Sequence, residues 1–273
     1  MIGREDFYRR TDLTGHTVTD PSAATDYPAT RMRDDKDYIF WKAGGTGTLN
    51  YDLDLGVGND LAADFIAIIS HNFGTEGVSW EYLSGASNPA SDSVIAAVSP
   101  SNDRIQCRAF DGATARRYHR IQLTNVTADT IIGEVLLGRR IDFPYGVDPG
   151  IGFDPIAEVP RNRASRSENG NIIRTTSDFS ERTSSWQFKM LANTFVGDET
   201  APTGGVPGFR WWWDNYGSKM GPSVFSWNPG NPGDFERDAI WGVADGSVSR
   251  PLATQLDTGF RDVMFNIIGL KED

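Results

Sequence analysis

Polar and apolar residues alternate with a period of two over much of the chain. Tyr51, Leu53 and Leu55 alternate with Asn50, Asp52 and Asp54, so residues 48–55 predict a strand with one apolar and one polar face. Ala63 to Ser70 is a near-continuous apolar run instead, the pattern of a central strand buried on both faces. Further strands are predicted at 38–41, 78–83, 94–98, 104–110, 118–123 and 131–137. About eight short strands spaced at roughly 8–12 residues are the signature of an all-β sandwich or jelly roll.

The second half carries its clearest pattern at Ile172 to Leu191. Two runs rich in Thr, Ile and aromatics flank a polar centre, and Trp186, Phe188 and Met190 alternate with Ser185, Gln187 and Lys189. This predicts a two-stranded antiparallel ribbon with one wet face. Its polar residues Arg174, Glu181, Arg182 and Lys189 are candidates for contact with a neighbouring subunit. Strands are also predicted at 239–244, 248–253 and 262–268. Between them stands Trp211-Trp212-Trp213. In a strand, Trp211 and Trp213 share one face and Trp212 takes the other, so one large ring must leave the local core. A subunit interface, a sugar-stacking surface and a core buried on both faces are the three readings.

Gly- and Pro-rich composition sets the boundaries. Residues 1–36 are polar and turn-rich, either an arm that packs on or reaches for a neighbour or a disordered terminus. Residues 37–140 form the jelly roll, 141–165 a linker, and 166–273 a second β domain.

Trp41, Leu53-Asp54-Leu55-Gly56 and Phe65 to Phe73, followed by Arg117 to Leu123 and Ile132 to Arg139, resemble the galactose-binding-like (discoidin) jelly rolls of bacteriophage tail proteins. Trp186-Gln187-Phe188, Trp213-Asp214 and Phe260 to Ile267 resemble the tail-tube-like β domain of tube and distal tail proteins. Residues 192–209 depart from that pattern, being Gly- and Pro-rich where members carry a helix. The resemblance implies a second β-sandwich or split barrel of tail-tube-like type. It also implies a structural virion protein, assembled in the host cytoplasm, that forms a ring at the tail tip or upper baseplate. The ring is a homo-oligomer, expected as a hexamer, with Trp186, Trp211, Trp212 and Trp213 beside the ribbon residues at its interface. Its partners would be the tail tube protein and baseplate hub or fibre proteins. The alternative is a carbohydrate-binding module contacting host-surface glycans.

Charge fits either reading. The net charge of -11 argues against a face that grips nucleic acid or an anionic membrane. The amino-terminal residues are charged, without an apolar leader core. The single cysteine, Cys107, allows no intrachain disulfide and reads as a buried inert thiol. His16, His71 and His119 show no metal-ligand spacing, and there is no G-x-S-x-G elbow. Asp52 and Asp54 share a strand face, as a glycosidase carboxylate pair or any solvated face would. Asp60 and Asp64 could assist calcium, and the Gly45-x-Gly47 and Gly56-x-Gly58 pairs lack the following helix that phosphate binding requires. No enzymatic turnover and no cofactor are expected.

Overall fold

A computed structural model of the protein describes residues 1–10, 12–110, 114–144, 157–166, 172–201, 207–227, 239–245 and 260–269. Side chains are described for these except 157–166, 172–181, 190 and 260–262. In chain order the strands begin with β1 (Ile2–Gly3), β2 (Thr17–Thr19), β3 (Trp41–Lys42), β4 (Gly47–Asp54) and β5 (Phe65–His71). They continue with β6 (Ser79–Gly85), β7 (Asp92–Val98), β8 (Gln106–Ala109), β9 (Tyr118–Val126), β10 (Ile131–Gly138) and β11 (Arg140–Ile141). The remainder are β12 (Ala157–Arg166), β13 (Ile172–Ala192), β14 (Ser223–Ser226), β15 (Ala239–Ala244) and β16 (Phe260–Gly269). Three short helices are α1 (Phe73–Glu76), α2 (Asn193–Val196) and α3 (Phe209–Asn215).

The fold is all-β, as the periodicity predicts, and every strand pair is antiparallel. A five-stranded sheet in the order β2-β4-β9-β6-β7 faces a four-stranded sheet, β3-β10-β5-β8. Between them lies the jelly-roll core, with Tyr51 and Leu53 from β4, Trp80 and Tyr82 from β6, and Ile66 and Ile68 from β5. The third sheet has seven strands in the order β11-β1-β14-β15-β16-β13-β12. One of its faces is capped by α3 over Trp186, Phe188, Phe225 and Phe265. Its other face lies on the four-stranded sheet, where Val224, Ala239 and Trp241 pack against Phe65, Ala67, Ile69, Cys107 and Leu136. This explains the unbroken apolar run of β5. Alternate residues along it enter two different cores, so neither face can be polar.

Several expected boundaries move. Of the predicted strand at 38–41 only Trp41 is in a strand, because Asp37 to Ile39 form a turn closed by Ile39 N–H to the Lys36 carbonyl (3.1 Å). The amino-terminal arm does not reach outward. β1 sits inside the seven-stranded sheet between β11 and β14, Met1 and Ile2 enter two cores, and Phe7 and Tyr8 enter the third. Gly3 is required there, since a Cβ would lie 2.6 Å from the Phe65 ring.

The ribbon is also built differently. Ile172–Ala192 is one strand of 21 residues, and its hairpin partner is Ala157–Arg166, all but the last residue of which falls in the stretch read as linker. The Ser-Asp and Ser-Glu centre cannot turn the chain tightly because it lacks glycine or Asn-Gly. The sequence between β12 and β13 contains Asn169-Gly170, a pair that favours turns; residues 167–171 lie outside the described residues. Register shifts between Phe188 and Leu191, so Leu191 joins Trp186 and Phe188 in the core. The predicted strand at 248–253 also lies outside the described residues.

The tryptophan run is helical, not extended. Phe209, Trp212 and Trp213 are buried, and their spacing of three and four residues is that of one helix face. Asp214 pairs with Arg210 one turn away (3.3 Å), and Asn215 Nδ2 donates to the Trp211 carbonyl (2.7 Å). The one-turn α2 lies between ribbon and aromatic segment, where the Gly/Pro-rich composition predicts none.

Candidate functional site

The chemistry of the molecule concentrates where the amino-terminal segment passes between its two halves. Arg4, Glu5, Asp6 and Arg10 are all buried, with exposures of 4–9%. Arg4 and Glu5 find partners distant in sequence, while Asp6 and Arg10 bond close by. Arg4 Nη2 donates to both oxygens of Asp35 (3.0 Å each), and Arg9 Nη1 reaches Asp35 Oδ2 at 2.6 Å. Glu5 accepts from Arg10 Nη1 (2.9 Å) and from the Arg139 backbone N–H (3.1 Å). Arg10 also grips Asp12 through Nε (2.8 Å) and Nη2 (3.0 Å). Asp6 Oδ1 accepts the Tyr8 N–H (3.0 Å), and Glu134 Oε2 that of Asp35 (2.8 Å). Gly138 permits the passage, since a Cβ there would strike the Glu5 carbonyl.

The network is incompletely satisfied. Arg4 Nε and Nη1, Asp6 Oδ2 and Glu134 Oε1 are buried without a hydrogen-bond partner. Burial pushes the Asp6 carboxyl up to about 7 and Glu5 up to about 8, the latter against the pull of Arg10. Burial, reinforced by the neighbouring Asp6 charge, lifts Glu134 to about 9. These acids hold protons in the folded chain that they release on unfolding near neutral pH, so stability falls as pH rises from about 4.5 toward 9. Glu134→Gln mimics the protonated acid. It should leave stability unchanged near pH 5 and raise it at pH 9 by on the order of 1–3 kcal/mol. Melting curves of the two proteins that stay parallel across that range would refute the assignment.

The network forms one wall of a cleft of about 310 Å³. Ala201, Trp211 and Tyr216 complete its lining. The Tyr216 ring lies 4.3 Å from the Arg4 guanidinium carbon, and Trp211 meets Tyr216 edge-on at 5.5 Å. The cleft is therefore lined by side chains ion-paired within the chain and by aromatic surface.

Of the residues predicted as a subunit interface, Trp186, Trp212 and Trp213 are brought together in one interior cluster, with Trp211 packed against it. Trp186 and Trp212 are inside the chain's own core, with exposures of 1% and 0%, so neither presents a surface to a neighbour. Trp213 is nearly buried and Trp211 half-buried on α3. Arg182 Nη1 donates to the Ala239 carbonyl within the chain (2.9 Å), while Lys189 is exposed. The side chains of Arg174 and Glu181 lie outside the described residues.

The other candidates have structural partners. Asp52 and Asp54 are each held by an arginine of β9: Arg120 at 2.5 and 2.8 Å, Arg117 at 2.5 and 2.7 Å. Arg117 holds the Asp54 carboxyl below its usual range. Asp64 accepts the Arg140 backbone N–H (2.7 Å) and fixes the corner between β10 and β11. Among the described residues no cluster of three His, Cys, Asp or Glu could hold a metal ion.

His119 is buried and pushed down to about 4 by burial, with Nδ1 2.7 Å from the Tyr82 hydroxyl and Nε2 3.1 Å from the Arg116 carbonyl. His16 Nε2 lies 2.9 Å from the Phe7 carbonyl, and His71 Nδ1 accepts the Phe73 N–H (3.2 Å). Burial pushes the Cys107 thiol up to about 12, which makes it unreactive. The sequence reading missed the amino-terminal network, although the clustered Arg4-Glu5-Asp6 and Arg9-Arg10 next to Phe7-Tyr8 mark it.

Among the described residues no helix is long and apolar enough to cross a membrane. No family model matches the chain, and no curated protein matches it. Solved structures do match. CpGH89CBM32-6 produced by Clostridium perfringens is 13% identical with a TM-score of 0.38, and the match covers 49% of this chain and 98% of that one. CBM32 of AlyQ, in complex with 4,5-unsaturated mannuronic acid, is 18% identical with a TM-score of 0.36, covering 51% of this chain and 99% of that one. The family 32 CBM from C. perfringens NanJ, in complex with galactose, is 18% identical with a TM-score of 0.35, covering 45% and 92%. Each of these likenesses spans about half of this chain.

Proposed function

We propose that the protein is a self-assembling structural component, a ring-forming tail-tip or upper-baseplate protein of a long-tailed bacteriophage. The observation that carries this reading is the ribbon of β12 and β13. Residues 183–192 of β13 pair with β16 inside the seven-stranded sheet, whereas residues 172–183 pair with β12. The first half of β13, and all of β12, have a single strand partner among the described residues. About ten residues at ~3.3 Å each carry this two-stranded ribbon roughly 33 Å past the strands that anchor it. A two-stranded hairpin is marginal in water, and its open edges invite pairing. The same ribbon on a second copy is the natural complement, and a closed ring of copies leaves no edge free. The tail-tube-like motifs of the second half and the acidic charge, suited to a conduit for DNA, support the same reading.

Replacing residues 158–181 by a short Gly-Ser turn tests it. The intact chain should form rings visible in electron micrographs and by light scattering at high concentration. The shortened chain should remain monomeric with an unchanged melting temperature. Intact chains that stay monomeric, or shortened chains that still form rings, would remove the ribbon from that role.

A second reading, glycan contact by the sandwich half, is favoured by an aromatic patch. Tyr27 and Phe40 stack at 5.4 Å, Arg31 lies 5.3 Å over Tyr27, and the nearby Tyr38 is 75% exposed. Specific capture of the shortened monomer on a glycan array would favour it.

A further inference from the structure

The three sheets end in edges of unequal length. β2 has three residues, β3 two, β8 four and β11 two, and edges so short offer little to a further strand. Two edges are long. β12 has ten residues and belongs to the ribbon, and β7, Asp92–Val98, has seven. β7 pairs only with β6. Among the described residues no backbone group of another segment reaches its outer side. Native edges of this length are blunted by charge, by proline or by a covering segment. Residues 93–98, Ser-Val-Ile-Ala-Ala-Val, carry neither charge nor proline, and Ala96 and Ala97 are exposed. Two register shifts against β6 twist this edge without covering it.

The two sides of the strand differ. Val98 lies opposite Trp80 and Ile95 opposite Tyr82, and Val94, Ile95 and Val98 pack against the sandwich core. On the solvent side Ser93 Oγ donates to Glu81 Oε1 (2.6 Å), and the register shift sets Ala96 and Ala97 against Glu81. That side is acidic. Among the described residues Glu81 has no cation beside it. Asp92 meets Arg116 only at 3.5 Å, and Arg120 is tied to Asp52 at 2.5 and 2.8 Å.

We infer that β7 is a docking edge for an extended strand of a partner protein, one that alternates β-branched apolar residues with lysine or arginine. Strand addition supplies main-chain hydrogen bonds along the edge, and the alternating side chains give specificity. The apolar residues continue the row of Ile95 and Val98 over the rim of the core. The basic residues fall on the solvent side beside Glu81 and Asp92, where opposite charge favours them. A second copy of this chain fits the edge less well. It brings a net charge of -11 of its own, and its β7 sets serine and alanine, not a cation, beside Glu81. The inference is independent of assembly through the ribbon.

The test is calorimetric titration of the full chain with a short acetylated peptide alternating valine with lysine. One control peptide alternates valine with glutamate, and another keeps the lysine sequence with every backbone amide N-methylated. The lysine peptide should bind, with both controls weaker by about tenfold or more, and amide hydrogen exchange at residues 92–98 should slow in its presence. Ala97→Lys puts a like charge on the exposed solvent side. It should weaken the lysine peptide by about tenfold and leave the melting temperature unchanged, whereas Ala97→Glu should keep the binding. Absence of lysine-peptide binding to the wild-type chain overturns the proposal. So does an N-methylated peptide that binds as tightly, which reduces the effect to charge, or a glutamate peptide that does, which removes the stated chemistry. Protection of 92–98 that grows with protein concentration in the absence of peptide overturns it in favour of a second copy. The wild-type comparisons stand even if a variant fails to fold.

Discussion

Residues 37–140 expressed alone should not yield a soluble, cooperatively folded domain, although they contain nearly the whole jelly roll. The outer face of its four-stranded sheet carries Phe65, Ala67, Ile69, Cys107 and Leu136, each fully buried in the intact chain. Their cover comes from Met1, Val224, Ala239 and Trp241, all outside the fragment. The fragment also lacks Phe7 and Tyr8, which fill the inner core from the amino-terminal segment. Each large apolar side chain left exposed forfeits about 1.5–3 kcal/mol, and several together exceed much of the ~5–15 kcal/mol that holds a typical domain folded. The bared sheet face would be a contiguous apolar patch of the kind that drives association. Solubility, near-ultraviolet circular dichroism and dye binding of the fragment beside the intact chain would read this directly. A monomeric fragment with a sharp melting transition would show that the third core is dispensable.

The second large effect is expected at Trp186. Its ring is 1% exposed and meets Phe188 at 5.9 Å, Phe225 at 5.8 Å and Phe265 at 5.8 Å. Trp186→Ala removes the centre of this cluster and leaves a cavity whose walls are strands fixed by their ladders, so collapse around it is limited. The expected cost is about 3–5 kcal/mol, a fall in melting temperature on the order of 10 °C for a chain of this size. Trp186→Phe should recover a large part. If Trp186→Ala instead melts like the wild type and fails only to assemble, the ring must serve a neighbouring subunit in spite of its burial.

Much of the sandwich was legible because strand periodicity is a local property. Tyr51, Leu53 and Leu55 all face the core, and the apolar run at Ala63 to Ser70 did mark a strand buried on both faces. Local patterns failed where two periods compete. Trp211-Trp212-Trp213 fits a strand by aromatic content, yet Phe209, Trp212, Trp213 and Tyr216 have helical spacing. Gly208 and Gly217 bound the segment, and that helical signal was the stronger one. At Ile172 to Leu191 a polar centre resembled a turn, but without turn residues the strand runs through it.

By itself, then, the sequence determined the all-β class, the two-faced character of β5, the inert burial of Cys107 and a change of pattern in the second half. Tertiary structure alone decided what covers the outer face of the jelly roll, where the amino-terminal segment goes, and which charges are buried. The physical reason is that these depend on partners far apart in the chain. Arg4 and Glu5 are polar residues of an apparently wet terminus until Asp35, Arg139 and Glu134 are folded around them. Burying charge is unfavourable without such partners, and no local pattern announces where they will come from.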